Sequence, residues 1–229
     1  MTAVRETVSE ITTPVGTARV TVAGSGAALA VLGHGAGGGI EAADIRAVTA
    51  ALLERGWTVA RVEQPYRVSG RHAPDRAPKL DAAWSAVVEH LRAGARSTTS
   101  PRARSTTSHG ARSTTSHGAR STTPLLVGGR SSGARVACRT AAALEAAAVV
   151  CLAFPLHPPG RVESSRAEEL GLVADIPLLV VQGMRDAFGT PAEFPPSVHV
   201  ASVEGDHSLR RTAAVAAAVS DWLTAQRLT

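Results

Sequence analysis

Short runs of apolar, often β-branched residues alternate along this chain with alanine-rich stretches whose apolar positions recur at helical spacing. The first segment differs. Glu6–Thr12 and Ala18–Ala23 flank Pro14-Val15-Gly16, which reads as a hairpin. The apolar run Leu29–Leu32 follows, then a predicted helix over Ile40–Arg55 that Gly56 stops, a strand over Thr58–Val62 and a helix over Lys79–Ala93 closed by Gly94. The second half repeats the alternation. Strands are predicted at Leu125–Val127, Val149–Phe154, Pro177–Val181 and Val198–Val203, with helices at Gly133–Ala147 and Leu209–Gln226. Fully apolar strands separated by helices describe a parallel sheet covered on both faces. The expected fold is therefore α/β: one domain over residues 1–229, with a doubly wound, mostly parallel sheet of about seven strands. Ligands bind such sheets beyond the carboxyl ends of the strands, so the chemistry is expected on strand-to-helix loops.

Residues 95–124 break the pattern with an octapeptide repeat: ARSTTSPR, two copies of ARSTTSHG, then ARSTTP. Without apolar periodicity, these Ser, Thr, Arg and Gly residues cannot offset the entropy of ordering, so a disordered loop is predicted. The tract joins a helix to a strand, which places it at the edge opposite the expected active site. It also carries the charge. The chain is formally +5, and the tract holds five arginines and no acid, so the remainder is neutral. A nucleic-acid partner is thus not indicated by the fold itself. His109 and His117 lack accompanying thiols or carboxylates, and no metal or other cofactor is expected. Aromatic residues make up only 3% of the chain, so alanine, valine and leucine must fill the core. No apolar run approaches the roughly 18 residues that would span a bilayer, and residues 1–10 lack the apolar stretch of a secretory signal. Cys138 and Cys151 sit in apolar surroundings and read as buried thiols, so a cytoplasmic location is expected.

Three strand-to-helix corners hold the informative residues. Gly129-Arg130-Ser131-Ser132-Gly133 lies between a strand and a helix, the context a G-x-S-x-G nucleophile elbow requires. Only Ser131 fits that frame. His34-Gly35-Ala36-Gly37-Gly38-Gly39 offers backbone N–H groups for a developing oxyanion. Ala36 is the preferred donor there and Gly37 the second, both complementing the N–H of Ser132. The loop has neither the G-x-G-x-x-G spacing nor the lysine of a phosphate loop. The third corner ends in Asp186, and one strand later comes His207. Ser131, Asp186 and His207 stand in the chain order of a nucleophile, an acid and a base on this fold. Asp206 is the competing acid, but neighbours in sequence rarely face each other across a hydrogen bond.

The combination GHGAGGG, GGRSSGAR, FPLHPPGR, QGMRDAFGTP and EGDHSL resembles the KANL/Tex-type group of α/β-hydrolases, relatives of dienelactone hydrolase. That resemblance implies Ser131 as nucleophile, Asp186 as acid and His207 as base. Dienelactone hydrolases carry cysteine at the elbow, so their substrate does not transfer. Some eukaryotic members of the wider group are regarded as scaffolds, which keeps a non-catalytic interaction module as the alternative. Pro155 to Ile176 leaves room for a loop and one short helix, so no cap domain is expected. Walls formed by Gln64-Pro65-Tyr66-Arg67 and Leu156-His157-Pro158-Pro159 would bound an open site, with Tyr66, Arg67 and His157 as candidate substrate contacts. The expected partner is a small-molecule acyl substrate, with neither nucleic acid nor membrane.

Overall fold

The computed structural model describes residues 5–99 and 124–228. Among the described residues eight strands form one sheet, one at each of the eight runs read as strands in the sequence. They are β1 (Glu6–Thr13), β2 (Gly16–Ala23), β3 (Leu29–Gly33), β4 (Thr58–Glu63), β5 (Leu125–Arg130), β6 (Ala148–Leu152), β7 (Leu178–Gly183) and β8 (His199–Val203). Their spatial order is β1-β2-β4-β3-β5-β6-β7-β8. The β1–β2 hairpin pairs antiparallel and joins β4 antiparallel, with Val20 opposite Val62. Every other neighbour is parallel. The hairpin turn is tight because the Thr13 hydroxyl donates to the Gly16 carbonyl at 2.6 Å.

Alternate residues of the central strands feed two separate cores, as the period of two demands. On one face Leu29, Val31, Val127 and Val149 pack with Trp84, Val87 and Val136. That face is covered by α3 (Ala77–Thr99), α4 (Ser132–Thr140) and the short α5 (Ala167–Gly171). On the other face Ala30, Leu32, Leu126 and Val150 pack with Ile45, Leu52, Trp57 and Trp222. Helices α1 (Ala43–Glu54) and α6 (Thr212–Ala225) cover that side. One four-residue helix, α2 (Pro65–Val68), follows β4. Cys138 and Cys151 are buried free thiols with sulfurs 3.5 Å apart.

Helix ends are where expectation and structure part. Gly56, at φ +78°, does close α1, with its N–H bonded to the Leu53 carbonyl. Gly94 does not close α3, which runs on to Thr99. A glycine inside a helix costs only about 1 kcal/mol, which its helix-forming neighbours can outweigh. In the opposite sense, the helix expected over Gly133–Ala147 stops at Thr140, and a series of turns carries the chain to β6. The alanine run contains no stop signal; the need to re-enter the sheet sets the end. Of the disordered loop expected over 95–124, residues 95–99 stand instead in α3, and residues 100–123 lie outside the described residues. No helix among the described residues is long and apolar enough to cross a membrane.

Candidate active site

The carboxyl ends of β3, β5, β7 and β8 deliver the glycine loop, Ser131, Asp186 and His207 to one edge of the sheet. Ser131 stands between β5 and α4 at φ 52°, ψ −109°, a strained backbone for a residue with a Cβ. Its N–H is held by the Leu152 carbonyl at 2.9 Å. The turn needs glycine on both sides. A Cβ on Gly133 would stand 2.6 Å from the Gly33 carbonyl oxygen, and one on Gly129 would stand 2.9 Å from the Gly33 nitrogen. Strand β3 therefore touches the elbow backbone directly, which brings the glycine loop beside the serine.

His207 bridges the other two residues. Its Nε2 lies 3.1 Å from Ser131 Oγ and its Nδ1 lies 2.8 Å from Asp186 Oδ2. The Asp186 carboxyl group is 1% exposed and fully engaged: Oδ1 accepts the Phe188 N–H and Oδ2 also accepts from Gln182 Nε2, both at 2.8 Å. Asp206 is turned away. Its Oδ1 accepts the Ser208 N–H at 2.9 Å, a bond that holds its carboxyl below the ordinary range. With Nδ1 donating to aspartate, Nε2 is the ring position able to take a proton from Ser131.

In the glycine loop Ala36 is half-buried and Gly37 is exposed, while Ser132 is the first residue of α4. None of these three N–H groups has a protein acceptor among the described residues. A Cβ on Gly35 would lie 3.5 Å from the Ser131 Cβ, so the loop passes against Ser131. His34 braces it from behind. Its Nδ1 donates to the Gly35 carbonyl at 2.8 Å and its Nε2 accepts the Gln64 N–H at 3.1 Å, an arrangement that requires the neutral ring. Burial lowers its pKa, in keeping with that state.

The expected wall residues are placed differently from a simple lining. Tyr66 is buried beneath the loop and its hydroxyl donates to the Ala36 carbonyl at 3.0 Å, so it supports the donor rather than facing a ligand. His157 is buried with Nδ1 on the Pro158 carbonyl and Nε2 on Glu193, each at 2.9 Å. No ring nitrogen of His157 is left for a substrate. Arg67 remains half-buried, 3.3 Å from His72 Nδ1. Among the described residues, no group of three or more His, Cys, Asp and Glu is placed to hold a metal ion.

Sequence reasoning missed three contributors. Gln182, fully buried at the end of β7, orients Asp186 and also donates to the Gly189 carbonyl at 2.8 Å. A lone amide closing an otherwise apolar strand was the available signal. The Phe188 ring lies 4.3 Å from the His207 ring, and Arg130 ties Asp44 to the His207 backbone.

The family model for the alpha/beta hydrolase domain matches residues 26–226. The chain belongs to the α/β-hydrolase family. No curated protein sequence matches it. Among solved structures, this α/β-hydrolase is similar to a serine hydrolase from Xanthomonas campestris described as having no lid (20% identity, TM-score 0.70, covering 99% of this chain and 97% of that one). It is also similar to dienelactone hydrolase from Anabaena variabilis (13%, 0.65, 97% and 98%). An esterase from Pyrococcus furiosus is a third such relative (17%, 0.67, 97% and 93%). At these identities the likeness is one of fold. The α/β-hydrolase here, like the first of those relatives, has no cap: between β6 and β7 stand a loop and α5 alone.

Proposed function

We propose that this α/β-hydrolase is a serine hydrolase that cleaves a small acyl ester, thioester or lactone through an acyl-enzyme intermediate. The observation that carries the reading is the unbroken Ser131–His207–Asp186 hydrogen-bond chain, at 3.1 and 2.8 Å. In that reading His207 Nε2 takes the Ser131 hydroxyl proton as Oγ attacks the acyl carbon, while Asp186 steadies the imidazolium. The oxyanion is received by the N–H groups of Ser132 and Ala36, with Gly37 close at hand. His207 then returns the proton to the departing oxygen or sulfur. A water, deprotonated by the same ring, hydrolyses the acyl-serine. The narrower kinship to the KANL/Tex-type group is part of this proposal, since its motifs surround every one of these positions.

Absence of a cap supports preference for short acyl groups, because little apolar wall is available to bury a long chain. The test is labelling by a fluorophosphonate probe together with turnover of short p-nitrophenyl esters, in wild type and Ser131→Ala. Both signals should vanish in the variant. Unlabelled, well-folded wild type overturns the reading and favours the interaction module. Hydrolysis that improves steadily with acyl length would sink the short-chain preference alone.

A further inference from the structure

One side chain links three of the four loops that carry the proposed chemistry: the elbow, the glycine loop and the His207 loop. Arg130 is the last residue of β5, immediately before Ser131, and its side chain is 18% exposed. Nε donates to Asp44 Oδ2 at 2.8 Å, and Nη2 donates to the backbone carbonyl of His207 at 2.8 Å. Nη1 lies over the glycine loop, where a Cβ on Gly35 would stand 3.1 Å from it. Asp44 is 1% exposed, the second residue of α1, and its Oδ1 accepts the Ile45 N–H at 2.9 Å. Burial raises the Asp44 pKa, and Arg130, the Ile45 N–H and the positive end of the helix act against that to favour the carboxylate. The guanidinium is thus anchored on one side by a fixed carboxylate and holds the His207 main chain with the other.

We propose that Arg130, backed by Asp44, is a positioning residue that fixes the His207 backbone against the nucleophile elbow and the glycine loop; this rests on the serine-hydrolase reading. His207 lies in a loop between β8 and α6, flanked by Gly205 at φ +129° and Leu209 at φ 46°. Its backbone has no regular hydrogen-bond ladder to hold it there. The Arg130 bond to its carbonyl supplies that hold and ties it to the residue beside Ser131. The planar fork matters. A lysine offers one compact ammonium group and cannot span Asp44 and the His207 carbonyl in the same geometry.

The experiment measures kcat and KM on a short p-nitrophenyl ester for wild type, R130M, R130K, D44N and the R130M/D44N double variant. It is combined with melting curves and with the His207 Nδ1–H resonance in proton NMR. Displacement of a catalytic group by an ångström costs about 100-fold in rate, so R130M should lose roughly that in kcat with KM little changed. R130K should recover part of the loss. The double variant should be no slower than the slower single, because the two residues act as one unit. The Nδ1–H resonance, sharp in wild type, should broaden in R130M. Wild-type kcat in folded R130M overturns the proposal, as do losses in R130M and D44N that multiply. If R130M fails to fold, D44N and R130K carry the same comparison. Wild-type protein that neither labels nor turns over, yet shows an Arg130-dependent Nδ1–H signal, sinks the hydrolase reading and leaves the positioning role standing.

Discussion

The His157–Glu193 pair shows how a residue beside the site is held out of the chemistry. Both His157 ring nitrogens face oxygens that have no proton to give, so the ring must be the imidazolium to satisfy them. Its pKa is raised, first by the Pro158 carbonyl and then by Glu193. Glu193 is pulled down to about 2, first by the Thr190 backbone N–H and hydroxyl and then by His157. The His157 backbone N–H also bonds the Phe188 carbonyl at 3.0 Å, so the pair braces the loop whose Phe188 lies on His207. A raised histidine contributes its stability in full below the unfolded value near 6.5, and loses it as pH climbs through the folded value. The lowered Glu193 works the other way, losing its contribution as pH falls toward 2. The stability gap between wild type and His157→Gln should therefore be widest in mildly acidic solution and close as pH rises above neutrality. Melting curves across that range check this; a gap that persists unchanged at high pH would contradict the assignment.

Elements meet through ion pairs as well as through cores. Arg135 and Arg139 on α4 reach Glu169 of α5 at 2.6 and 3.1 Å, and Arg139 also holds Asp81 of α3 at 2.6 Å. The helix that follows Ser131 is thus fastened to both of its neighbours. Glu169→Ala should cost about 2 kcal/mol, because it leaves the half-buried Arg135 guanidinium without its carboxylate and Arg139 with Asp81 alone. The kcat on short esters should stay near wild type, since the Arg135 and Arg139 side chains bond Glu169 and Asp81 and none of Ser131, Asp186 and His207. Chemical denaturation and steady-state kinetics separate the two effects. Strands such as Leu29–Gly33 were legible in the sequence because both faces are buried and the run is apolar throughout. The ends of α3 and α4 were not: Gly94 reads as a stop yet lies inside α3, and nothing in the alanine-rich run after Gly133 marks the end at Thr140. Ser131, Asp186 and His207 could be placed because each follows a strand. Arg130, Asp44 and Gln182 could not be assigned roles, because their partners are fixed only when distant loops come together.

For the molecule as a whole, the parallel sheet sets the point where the chain enters β5 apart from the triad. The chain re-enters the described fold at Pro124, whose carbonyl accepts the N–H of Leu29 at the amino ends of β3 and β5, while Ser131 lies past the carboxyl end of β5. Removal of residues 95–118 brings the fourth copy of ARSTT, 119–123, into the place of the first, directly before Pro124. Loop length enters stability only weakly, about 0.6 kcal/mol per doubling. The shortened chain should fold, melt close to wild type and retain kcat; loss of turnover in a folded deletion variant would show that the tract reaches the site. A different consequence follows from the three tryptophans, all buried, with Trp84 beneath the sheet and Trp57 and Trp222 above it. Each layer carries its own intrinsic fluorophore. Replacing Trp84 with phenylalanine leaves emission from the α1/α6 side alone, and replacing the other two leaves only the α3/α4 side. The protein can then be followed optically, one face of its sheet at a time, without any added dye.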